Sequence, residues 1–290
     1  MSITFDITHT TRYRYARPVE LGEHRVMFRP RDSHDLRVLA TDLKVDPPPQ
    51  DIRLIMDAYS NSVAIVTPAP TAQELTFTAT FTVEHTGSRA LDLPIDPRAQ
   101  SYPFHYEPED RVALQHYLQP FYAGKQDKLL EWANQFIDAG GGTDSRELLV
   151  RMNQTIRDTM RYQSRDEEGV QTPEETLTLG QGSCRDFATL MIEAVRQLGY
   201  AARFVSGYIY SANLEDASSA GATHAWLQVY LPGSGWIPFD PTNNLIGGTD
   251  LIRVGMARHA SLASPLSGVW TGAPADYLGM SAQVQVVKRP

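Results

Sequence analysis

The chain has 290 residues, about two domains at roughly 150 residues each. Its 26 Lys and Arg against 34 Asp and Glu leave a net charge of −8, which argues against the basic footprint that nucleic-acid binding needs. One cysteine, Cys184, excludes an internal disulfide and a thiol-rich zinc site, and no apolar run is long enough to span a membrane.

Residues 1 to about 100 read as β structure. Ile3, Phe5 and Ile7 alternate, as do Leu75, Phe77, Ala79, Phe81 and Val83, a spacing that buries one face of a strand. Shorter strands are expected over 36–45 and 52–66, the second broken by a Tyr59-Ser60-Asn61-Ser62 turn. Pro94, Pro97, Pro103 and Pro108 mark a linker or crossover. Helices follow over 112–118 and 128–137, the latter stopped by Gly140-Gly141-Gly142. Thr143 or Asp144 caps a third helix, with the stripe Leu148, Leu149, Met152, Ile156 and Met160. A fourth runs from Cys184 to Leu198 and ends at Gly199. Strands are expected over 202–210, 224–231 and 236–239, then loops, then a final strand over 282–287. The N-terminus has no basic start followed by an apolar stretch, so the cytoplasm is the expected location.

Three residues stand where thiol chemistry would be helped. Cys184 follows Gly180-Gln181-Gly182-Ser183 and opens a helix, whose free N–H groups and positive end favour a thiolate. A lone cysteine is more often a small buried hydrophobe, so position alone decides little. His224 opens an alternating strand behind a small polar stretch with Ser218, Ser219 and Gly221, and can supply a base. Asp240 ends the next strand in Phe239-Asp240-Pro241, where a hairpin brings it near His224 to hold the imidazole. Their bland alternatives are a structural histidine and a turn-initiating aspartate before proline. Asp186 suits a first helical turn, Arg185 reads as solvated, and Asp166-Glu167-Glu168 and Glu174-Glu175 read as solvated acidic loops. Trp226, Trp236 and Tyr208 read as packing, with one tryptophan a candidate wall of the site. His9 and His24 read as structural, with an interface role open. Asn153-Gln154-Thr155 fits a glycosylation acceptor but falls inside the third helix.

Gly-Gln-Gly-Ser-Cys184-Arg-Asp-Phe-Ala, then His224-Ala-Trp, then Phe-Asp240-Pro-Thr resembles the transglutaminase-like superfamily of papain-fold cysteine enzymes. Residues 9–31 resemble the β domain that precedes the core in the bacterial type. The resemblance implies an α+β fold: an N-terminal antiparallel, β-sandwich-like domain over 1–100, then a core over 101–290 with helices packed on an antiparallel sheet and a C-terminal strand.

The residues and the resemblance together imply acyl transfer through a thioester. Cys184 is the nucleophile, His224 the base and then the acid, and Asp240 the orienting carboxylate. The Cys184 backbone N–H and the Gln181 side chain are the candidate oxyanion donors. No cofactor or metal is called for, and the partner is a peptide, a protein or a small amide. A protease or amidase is expected first, a transglutaminase second. A non-catalytic binding module on the same fold is the reading from another class.

Overall fold

The computed structural model describes residues 2–87, 91–124, 126–165, 169–210 and 223–289. The run Asp166-Glu167-Glu168 and the stretch with Ser218, Ser219 and Gly221 lie outside the described residues.

Strands β1 (Ile3–Val26), β2 (Leu36–Asp46), β3 (Asp51–Met56), β4 (Ser62–Thr67) and β5 (Thr71–His85) form one antiparallel sheet in the order β2-β5-β1-β4-β3. The alternating Phe5, Ile7, Leu75, Phe77, Ala79, Phe81 and Val83 are all buried, as a period of two requires. The β3–β4 hairpin turns over 57–61, where Ser60 takes a φ of 60°. Asp57 holds that turn by accepting the N–H groups of Tyr59 and Asn61, each at 2.9 Å.

The linker is tied down rather than loose. The Asp96 N–H donates to the Pro232 carbonyl at 2.8 Å, and Ile95 and Ala99 are buried in the core. β6 (Ser101–Tyr102) and β7 (Thr143–Asp144) bridge its far side. Helix α1 (Pro108–Leu118) starts earlier than expected, since proline suits the first helical position. Helix α2 (Asp127–Asn134) stops short of Ile137. Asp144 caps α3 (Ser145–Thr159), accepting N–H groups from Arg146 and Glu147 at 2.9 and 2.8 Å.

Next come β8 (Arg161–Tyr162), α4 (Pro173–Leu179), β9 (Gln181–Gly182) and α5 (Cys184–Gln197). Strands β10 (Ala202–Ile209), β11 (Thr223–Leu231), β12 (Gly235–Asp240), β13 (Leu245–Ile246) and β14 (Leu251–Ala257) complete the core. They form a second sheet in the order β13-β12-β11-β10-β14. Leu190, Met191, Ala194 and Val195 of α5 pack with Phe204, Leu227 and Val229 of that sheet in one buried cluster. Among the described residues, no helix is long and apolar enough to cross a membrane.

Three segments depart from the sequence expectation. Residues 245–257, expected as loop, hold β13 and β14, and the burial of β14 leaves no alternation to read. Glu174 and Glu175 lie in the first turn of α4, not in a solvated loop. Glu175 accepts the Thr172 N–H and hydroxyl at 2.8 and 2.9 Å, a capping box. The chain's last strands belong to the first sheet, not to the core. β15 (Leu266–Thr271) pairs with β1 from Glu20↔Thr271 to Val26↔Leu266, and β16 (Tyr277–Lys288) from Phe5↔Lys288 to Tyr15↔Tyr277. β1 is 24 residues long with β5 along one side, and its other side needs partners for its backbone groups.

The inner face of the first sheet packs on Tyr208, Ile252 and Val254 from β10 and β14. This is the second layer of the sandwich-like arrangement. Polar bonds cross the same junction. The buried Asn61 side chain donates to the Met256 carbonyl at 2.8 Å and accepts its N–H at 2.9 Å. Arg253 donates to Asp35 at 2.9 Å. Burial pushes the Asp35 carboxyl up, but Arg253 outweighs this and holds it well below the usual range.

Candidate active site

The start of α5 is fixed by one buried carboxylate. Ser183 precedes the helix, and its N–H and hydroxyl both donate to Asp186 Oδ2 at 2.8 Å. Asp186 Oδ1 accepts the Gln171 N–H at 2.7 Å, and the Arg165 guanidinium reaches both oxygens at 2.9 and 3.1 Å. Asp186 thereby ties the preceding loop to the helix that carries Cys184. A side chain at Gly182 would meet the Asp186 Cβ at 2.8 Å, so only glycine lets β9 pass this close. Arg185, expected to be solvated, donates to the Arg165 carbonyl at 3.1 Å.

Cys184 is the first residue of α5, half-buried, with a free thiol. Its N–H stands at a helix start, where the first N–H groups have no partner within the helix. Gln181 sits on β9 beside Arg161 of β8, and its Oε1 accepts from the Arg161 guanidinium at 2.7 Å. Tyr162, which no sequence signal marked, is 54% exposed and within electrostatic reach of Cys184. Burial raises its phenol pKa, and the charge of Cys184 adds to that.

β11 and β12 run antiparallel, so the start of one lies beside the end of the other. His224 opens β11 and Asp240 closes β12. The His224 Nε2–H donates to Asp240 Oδ2 at 2.8 Å, with the histidine 8% and the aspartate 0% exposed. Asp240 Oδ1 accepts the Thr242 N–H at 3.0 Å. With Nε2 on the carboxylate, Nδ1 is the ring atom left for Cys184, which acts electrostatically on the imidazole. Burial pushes the imidazole pKa down. The charge and hydrogen bond of Asp240, with the charge of Cys184, outweigh it and raise the value to about 10. Trp226 is buried and stacks on the imidazole at 6.0 Å between centroids.

The structure thus brings Cys184, His224 and Asp240 together, with Gln181 close by in sequence. Trp236 stands at the other end of β12, under Arg203 at 4.0 Å, so it does not wall this site. Sequence reading also missed Asn243, whose Nδ2 lies 2.8 Å from Asp240 Oδ2. Asn153 of the glycosylation-like triplet is buried in α3 and donates to Asn244 at 2.9 Å. Among the described residues, no group of three or more His, Cys, Asp or Glu side chains is placed to hold a metal.

Comparisons with known proteins agree with this architecture. Residues 131–241 match the transglutaminase-like superfamily core, and residues 5–84 match the bacterial transglutaminase-like N-terminal region. The uncharacterized protein Rv2569c of Mycobacterium tuberculosis is 27% identical over 97% of this chain and 92% of its own. The uncharacterized protein ML0607 of Mycobacterium leprae is 32% identical over 36% of this chain and 37% of its own. The crystal structure of a candidate cysteine protease from Cytophaga hutchinsonii aligns with a TM-score of 0.73 at 20% identity, covering 100% of this chain and 92% of that one. At that identity the likeness speaks for the fold. The chain belongs to the transglutaminase-like superfamily, with both the core and the bacterial-type N-terminal region.

Proposed function

We propose that the protein is a cysteine hydrolase that cleaves an amide or peptide bond through Cys184, His224 and Asp240. The observation that carries the reading is the buried imidazole at the thiol helix, held at 2.8 Å by a fully buried carboxylate. An imidazole with a pKa near 10 is protonated at neutral pH, the form that would stabilise a thiolate in this reading.

In this reading the Cys184 sulfur attacks the carbonyl carbon, and the carbon–oxygen π pair moves onto oxygen. The Cys184 N–H meets that oxyanion. The Gln181 side chain, whose oxygen is held by Arg161, is the candidate second donor. Collapse breaks the carbon–nitrogen bond, and His224 gives its proton to the leaving amine. Water then attacks the thioester, His224 takes its proton, and the acid leaves with the thiolate restored. The substrate is a protein, a peptide or a small amide.

Alkylation of the only thiol by iodoacetamide tests the assignment. The expected result is fast modification at pH 6, well below the ordinary thiol range near 8.5, and its loss in His224→Ala. A profile that rises only near pH 8.5 in the unsubstituted protein overturns the reading and favours a non-catalytic module. Product masses separate the two chemistries. A free acid marks hydrolysis, and an amine adduct marks transglutamination.

A further inference from the structure

Asp240 is fully buried, and its Oδ2 has two donors rather than one. The His224 Nε2–H reaches it at 2.8 Å, and so does the Asn243 Nδ2–H, also at 2.8 Å. The two nitrogens are 3.3 Å apart. Both carry hydrogen in this arrangement, so that contact is not itself a hydrogen bond. One carboxylate oxygen is shared between the imidazole and a neutral amide.

We propose that Asn243 is a positioning residue for the cysteine-hydrolase chemistry, fixing Asp240 Oδ2 and limiting how strongly that carboxylate holds a proton on His224. The proposal rests on the reading given under Proposed function. A neutral donor on the shared oxygen takes part of its negative charge, so the carboxylate pulls less on the imidazolium. The hold has two ends. The turn fixes Asn243 from below: the Thr242 N–H donates to Asp240 Oδ1 at 3.0 Å, and Asn244, at a φ of 55°, is pinned by buried Asn153 of α3 at 2.9 Å. The amide therefore meets the carboxylate from a fixed direction. The balance matters because the imidazole must hold a proton beside the thiolate and then release it to the leaving amine.

Among the described residues, the titratable groups acting on His224 are Asp240 from β12 and Cys184 from α5. Cys184, Arg185 and Asp186 of α5 act in turn on the Tyr162 phenol of β8. Asn243 adds no charge, so its effect is read through the pair it touches.

The test follows the rate of Cys184 alkylation by iodoacetate against pH. This anionic reagent is favoured while His224 is an imidazolium, so the rate falls when the ring loses its proton. Asn243→Ala is expected to move that falling limb up by about one pH unit. Asn243→Asp, with a second carboxylate in place of the amide, moves it further. A limb that stays put in both folded variants overturns the proposal, whatever happens to the thermal midpoint. A wild-type profile with no falling limb that depends on His224 overturns the reading beneath it instead. Proton NMR of the unsubstituted protein answers independently of either variant folding. The downfield His224 Nε2–H should show a cross-relaxation peak to the Asn243 amide protons, and its absence where that N–H is observed overturns the proposal.

Discussion

Two buried histidines carry opposite charge logic. His9, on β1, is 1% exposed, and burial lowers its pKa to about 4. His224, on β11, is 8% exposed, and its pKa is raised to about 10. The difference lies in the partners. The Tyr208 hydroxyl donates to the Phe28 carbonyl at 2.8 Å, so it can only accept from the His9 Nδ1–H, at 3.1 Å. His9 Nε2 accepts from the Thr11 hydroxyl at 3.1 Å. The His9 ring has two neutral partners and stays neutral. His224 has a carboxylate, and the same burial that silences His9 strengthens that attraction. One imidazole joins the two sheets and the other is held by a buried carboxylate at the candidate site, with the same side chain.

Four experiments press on this comparison, from the largest expected effect to the smallest. Asp240→Asn should turn His224 toward the His9 condition by removing its counter-charge. Without an ion pair a thiol titrates near 8.5, so at pH 6.5 iodoacetamide alkylation should slow about 100-fold. An unchanged rate would show that Asp240 does not set the imidazole charge. Tyr208→Phe strips the donor from Phe28 and the acceptor from His9. Stability at pH 7.5 should fall by about 1–3 kcal/mol in urea denaturation, while the alkylation rate holds. A loss of alkylation would mean that the two sites are coupled.

The third experiment is the pH dependence of stability. His9 has a folded pKa near 4, below its unfolded value near 6.5. The unfolded chain binds the extra proton, so stability is lost as pH falls from 6.5 toward 4. His224 has a folded pKa near 10, above 6.5, so its contribution is full below 6.5 and is lost as pH rises toward 10. His259, also lowered to about 4, shares the acid window. His9→Gln should therefore flatten the acid side only in part, and His224→Gln should flatten the alkaline side. Urea midpoints across pH 4–10 check both, and an acid side equally steep in His9→Gln would remove His9 from the account. The smallest effect is expected at Arg17, whose exposed guanidinium meets Asp276 at 2.8 Å. Arg17→Ala should leave the thermal midpoint where it is, because solvent screens such a pair. A clear drop would make the rim of the first sheet more important than its exposure suggests.

The three site residues were legible because each sits at the edge of a strongly patterned element. Cys184 opens a helix with a clear apolar stripe, His224 opens an alternating strand, and Asp240 precedes a proline turn. Strand β14 was not legible, since six of its seven residues are buried and no alternation survives. Helix α4 spans seven residues, too few for a period, although Thr172-Pro173-Glu174-Glu175 carried a readable cap. Asn243 lies in a turn where asparagine is ordinary, and only the folded geometry shows that it reaches the carboxylate. Alternation marks 282–287 as a strand, but not that its neighbour is some 280 residues away.

That last pairing bears on the order in which the protein is made. β1 and β5 lie in the same stretch of the chain and can pair as soon as both have been made. The other side of β1 waits for β16, which follows the core sheet in sequence. Until β16 is made, the whole transglutaminase-like core has been synthesised with that length of β1 unpaired. β16 acts as a clasp, closing the first sheet only after the core has been made.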